Sequence, residues 1–123
     1  VTRHPGVNFV ICHLLAPNGK QEEELKQALE RLALPNVWFD LASVPHNCMD
    51  ASEPWKRAGA YVRLARDLVG ADKLLFGTDM PSALKEAPYG DYVRWIREME
   101  GLNDAEREQI LYQNAAKVYA GLS

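Results

Sequence analysis

The 123 residues contain only two cysteines, far too few for a disulfide scaffold and without the paired spacing of a zinc finger. Long hydrophobic runs are also missing. Apolar runs such as Val10-Ile11-Cys12 and Leu74-Leu75-Phe76 are a few residues each, far short of the roughly 20 that span a bilayer. No stripe of basic residues accompanies the formal net charge of -3, which argues against a general nucleic-acid partner. Hydrophobic residues at 47% and charged residues at 25% are ordinary globular proportions, so disorder and collagen-like structure are excluded. We expect a reduced, cytoplasmic protein with neither a membrane nor a nucleic acid as partner. The length suits one domain, residues 1–123, since domains cluster at about 100–150 residues. The first residue is not Met, and Val1-Thr2-Arg3 reads like the end of a helix, so more chain is expected upstream.

Phe9-Val10-Ile11-Cys12 is a continuous apolar run between Pro5-Gly6 and His13, the pattern of a strand buried on both faces of a parallel sheet. Pro17-Asn18-Gly19 is a turn signal. Leu25, Ala28, Leu29 and Leu32 then recur at helical spacing, with Glu22, Glu23 and Glu24 at the end where the helix dipole favours negative charge. Val37-Trp38-Phe39-Asp40-Leu41 reads as a second strand. Trp55, Ala58, Val62, Ala65 and Val69 mark a second helix that ends at Gly70. Lys73–Phe76 is a third strand, followed by Gly77-Thr78-Asp79-Met80-Pro81. A helix near Tyr89–Met99 comes next. The last helix is capped by Asn103, with Glu106 three residues on, and has Ile110, Leu111, Ala115 and Val118 on its inner face. Strands alternating with helices, and no hairpin signal between strands, predict an α/β fold with a parallel sheet.

His13 follows the first strand, Asp40 lies near the end of the second and Asp79 follows the third. In parallel α/β sheets the carboxyl edge holds the ligand site, because the strand-to-helix loops converge there. Imidazole nitrogen and carboxylate oxygen suit divalent metals and also acid–base work. Position alone leaves plainer roles open: a hydrogen-bonded loop histidine, or an aspartate capping the next helix. A phosphate-accepting signalling domain needs acidic residues where His13 stands. His46 and Cys48 lie on the loop after the second strand and read as loop residues or substrate contacts, with an approach to the same edge as the alternative; His4 reads as structural at the opposite edge, Cys12 as a small core residue, and Trp38, Trp55 and Trp95 as packing residues. Asp40 is equally a site residue or a partner to a neighbouring strand.

The whole pattern resembles the C-terminal third of the amidohydrolase-related metal-dependent hydrolases, the branch that includes aminocarboxymuconate-semialdehyde decarboxylase. The resemblance runs from His4–His13 through Pro35–Asp40 and Gly70–Pro81 to Arg107–Tyr119, and Phe76-Gly77-Thr78-Asp79-Met80-Pro81 is its most specific stretch. It implies a partial (β/α)8 barrel, the last three units with strands six to eight, and one divalent metal, most often Zn2+. By the same resemblance Asp79 matches a strand-eight aspartate that contacts the metal and shuttles the proton of its bound water. His13 matches a strand-six histidine that lies beside the metal and polarises the reacting group. The family's His-x-His and its strand-five histidine have no counterpart here. The reaction implied is metal-dependent hydrolysis, with non-oxidative decarboxylation or a non-catalytic binding module as alternatives, and with little activity expected of these residues alone. Three strands cannot close a barrel of about 250 residues. Both outer strands are therefore expected to carry unpaired backbone groups, and the chain to form a homo-oligomer or to join the missing part of the barrel.

Overall fold

A computed structural model describes residues 1–18 and 21–120, so the turn expected at Pro17-Asn18-Gly19 lies partly outside the described residues. Strand β1 (Phe9–Ile11) pairs in parallel with β2 (Val37–Asp40), and β2 pairs in parallel with β3 (Leu74–Leu75), in the order β1-β2-β3. Phe39 sits at the centre of the sheet, opposite Ile11 on one side and Leu74 on the other, and is fully buried. The two-residue period of a strand sends Val37 and Phe39 into the core while Trp38 and Asp40 stay half-buried on the other face. The ammonium of Lys73 lies 4.0 Å from the ring centroid of Trp38, a cation–π contact on that second face.

Helix α1 (Glu22–Leu32) buries Leu25 and Leu29, two residues of the stripe read from the sequence. Helix α2 (Pro54–Val69) begins with proline at its first position, where no amide hydrogen is needed, and buries Ala58, Tyr61, Val62 and Ala65. Helix α3 (Tyr89–Arg97) buries Tyr92 and Ile96. Trp55 and Trp95 pack edge to face with centroids 5.8 Å apart, as expected of packing residues. Helix α4 (Asp104–Glu108) starts at the predicted cap, where the Asn103 side chain accepts from the Glu106 amide at 2.8 Å. It continues through a wider π turn (Gln109–Gln113) into α5 (Asn114–Val118). The π turn shifts the inner face, so the buried residues are Ile110, Asn114 and Val118, with Asn114 in the place expected for Ala115.

Two expectations are corrected. Cys12 is exposed rather than part of the core, because the chain leaves β1 at Ile11 and turns sharply at once. The outer side of β3 is also not bare. The Phe76 amide donates to the Ile110 carbonyl at 2.9 Å, and the Asn114 side chain donates to the Leu74 carbonyl at 2.8 Å. The last helical segment thus takes the place of a neighbouring strand there.

Backbone strain is unevenly distributed. Among the described residues, the non-glycine positions with positive φ are His13, Leu14, Leu15, Ala16, Ser43 and Asp79. Every one follows the carboxyl end of a strand. The positive-φ glycines, Gly70 and Gly101, lie instead after helices. Left-handed conformations cost L-residues about 1 kcal/mol or more, and such strain clusters at functional sites. No helix among the described residues is long and apolar enough to cross a membrane.

Candidate active site at the carboxyl rim

Parallel pairing with sequential order brings the three strand ends to one rim, so His13, Asp40 and Asp79 arrive on the same side of the sheet. The middle strand organises that rim. One carboxylate oxygen of Asp40, Oδ1, accepts from the His13 amide at 3.0 Å and from the Ala42 amide at 3.0 Å. Asp40 therefore bonds to the neighbouring strand end, one of its two expected roles. It holds the start of the left-handed turn at His13, whose φ is 58°.

Directly after Ala42 the chain reaches Ser43, a buried polar residue at φ 59°. Its hydroxyl donates to Asp79 Oδ2 at 2.7 Å. Asp79 is itself left-handed, at φ 62°, and exposed. The two loops approach closely because residue 77 is glycine: a Cβ there would lie 3.1 Å from the Cβ of Ala42. A connected path thus runs from His13 through Asp40, Ala42 and Ser43 to Asp79. Sequence reading missed Ser43. It sits in a loop without periodicity, and its partner is 36 residues away.

The remaining candidates fall into place around this path. His46 pairs through Nδ1 with Glu86 at 2.8 Å, joining the loop after β2 to the loop after β3. Cys48 is buried, and burial raises its thiol pKa above the ordinary value. Cys12 faces Asp40. The carboxylate charge, followed by burial and a hydrogen bond to the same group, raises its pKa. His4 lies before β1, and its carbonyl accepts from the Asn36 side chain at 3.2 Å, a structural role.

Residues 1–121 match the family model described as Amidohydrolase, and the chain belongs to that family. The L-fucono-1,5-lactonase of Burkholderia ambifaria is 31% identical over an alignment of 102 positions that covers 76% of this chain and 33% of that protein. A solved amidohydrolase from Burkholderia multivorans is 25% identical with a TM-score of 0.84, covering 97% of this chain and 46% of its own. A second structure of that amidohydrolase holds zinc. The 5-carboxyvanillate decarboxylase of Sphingomonas paucimobilis shares the fold, with a TM-score of 0.65 and 15% identity, covering 96% of this chain and 35% of its own. The chain therefore spans about a third of the lactonase it matches and under half of the solved amidohydrolase.

The family is typically metal-dependent, so the rim's donors bear on a metal. In kind they fit: His13 offers an imidazole, and Asp79 retains Oδ1 with Oδ2 taken by Ser43. In number they supply only part of a set. No group of three or more His, Cys, Asp or Glu side chains that could hold a metal occurs among the described residues. Catalytic zinc sites use about three protein ligands and an open position.

Proposed function

We propose that residues 1–123 form one unit contributing strands six to eight of a (β/α)8 barrel, and that the whole protein is a metal-dependent hydrolase of a small molecule. The lactonase relative favours hydrolysis, and a sugar lactone is the substrate class we take from it. The decarboxylase likeness, at 15% identity, supports the fold alone. When bound, a divalent metal, most simply zinc, supplies the charge that makes water acidic near neutral pH.

In this reading Asp79 would help to hold the metal, and its Oδ1, left free by Ser43, takes the proton of the attacking water and returns it to the leaving alkoxide. Such a transfer needs the carboxylate within about 3 Å of the proton it takes. His13 would stand with Asp79 as a ligand at the same rim, and its imidazole polarises the lactone carbonyl and steadies the negative charge that develops on its oxygen. The rest of the protein supplies the remaining ligands and joins the sheet along β1 and, as barrel closure requires, along β3 in place of the last helical segment, so residues 1–123 alone are inactive. A homo-oligomer built through the same face is the competing assembly.

The observation that carries the reading is the bonded path from His13 to Asp79, which supports one shared site at the rim. The test is zinc-dependent hydrolysis of L-fucono-1,5-lactone by the full-length protein. Asp79→Asn keeps the shape and removes the base, and is expected to lower kcat at least about 100-fold. His13→Ala is expected to lower it less. Unchanged turnover in folded Asp79→Asn overturns the assignment.

A further inference from the structure

We infer that Ser43 is a positioning residue for Asp79, selecting which carboxylate oxygen faces the reaction; the inference rests on the reading of Asp79 given above. An exposed carboxylate on a loop ordinarily samples several rotamers and satisfies itself with water. Here one oxygen is committed to a buried hydroxyl at 2.7 Å, a charge-assisted bond, and the other is left over.

The surroundings are built around that bond. Ser43 and Asp79 both adopt left-handed backbone, a conformation neither residue type favours as glycine does. Gly77 admits the loop after β2, with Ala42 only 3.1 Å from where its Cβ would be. Asp40 fixes Ala42 from below, and the Asn47 amide donates to the Ser43 carbonyl at 2.9 Å, holding the loop on its far side. The Ser43 hydroxyl reaches across to the carboxylate of another strand's loop.

The role separates from a structural one through glycine. Ser43→Gly removes the hydroxyl but relieves the left-handed backbone, so the variant is expected to unfold at or above the temperature of Ser43→Ala. In the full-length zinc protein, Ser43→Gly is expected to lose about 10–100-fold, the usual cost of removing a partner behind a ligand. The loss is read as kcat on L-fucono-1,5-lactone with KM within about 2-fold, or as zinc retention against a chelator, which needs no substrate. A crystal structure of Ser43→Gly is expected to show the Asp79 carboxylate turned. Wild-type kcat and wild-type zinc retention in folded Ser43→Gly overturn the inference, as does a change confined to KM. A silent Asp79→Asn removes the underlying reading instead. A damaging Asp79→Asn beside a silent Ser43→Gly removes only the role of Ser43.

Discussion

The side-chain amide of Asn114 lies 2.8 Å from the carbonyl of Leu74 and 2.7 Å from that of Ala71, binding the last helix to the start of β3. Asn114 is 1% exposed, so water cannot replace it. Asn114→Ala removes the side-chain donor to the Leu74 carbonyl, while the Ala71 carbonyl keeps the Leu74 amide, and is expected to cost about 1–3 kcal/mol, the range for one buried group left unsatisfied. Denaturant unfolding checks this, through a lower midpoint at unchanged slope. A loss below about 0.5 kcal/mol contradicts the role.

Gly77 is tested by adding one methyl. Ala42 contributes both Cβ at 3.1 Å and backbone nitrogen at 3.4 Å to the space beside it, so the neighbour is not the end of a flexible chain. Gly77→Ala is expected to destabilise by about 1–3 kcal/mol, the range for overpacking. The same variant is expected to lengthen the distance from Ser43 to Asp79 in a crystal structure. An unshifted loop after β2 refutes it.

Ala16 offers the opposite sign. It is exposed, at φ 52°, the last residue of the left-handed turn. Ala16→Gly removes a penalty of about 1 kcal/mol and adds back part of it through unfolded-state entropy, for a net gain of about 0.5 kcal/mol. Loss of stability in thermal unfolding counts against the left-handed turn.

Cys12 reports on Asp40. The carboxylate is the foremost cause of the raised thiol pKa. Removing its charge lowers that pKa and enlarges the thiolate fraction at pH 8. Asp40→Asn, which keeps an acceptor oxygen for the His13 and Ala42 amides, is therefore expected to speed alkylation of Cys12 by iodoacetamide several-fold. Cys48, buried, stays unmodified in the native protein and serves as the control. An equal or slower rate at Cys12 contradicts the pairing.

Much of the fold was readable in the sequence because it rests on periodicity and on local chemistry. Leu25 and Leu29 mark α1, Ala58, Val62 and Ala65 mark α2, and Asn103 with Glu106 marks the start of α4. The rim residues His13, Asp40 and Asp79 were found because parallel strands present their ends together. What escaped depends on distance or on unfavourable backbone. Ser43 and Asp79 meet across 36 residues, His46 and Glu86 across 40. The left-handed run from His13 to Ala16 contains no glycine to announce it, and it accounts for the misplacement of Cys12. The π turn at Gln109–Gln113 likewise has no sequence signature, so regular helical spacing puts Ala115 on the inner face where Asn114 seals the edge of the sheet.

Asp40 and Ser43 both belong to the end of the central strand and the residues just after it, and each reaches toward a different neighbour. Two candidate reactive groups are accordingly anchored to one short segment, and a substitution that displaces it moves both together instead of one at a time.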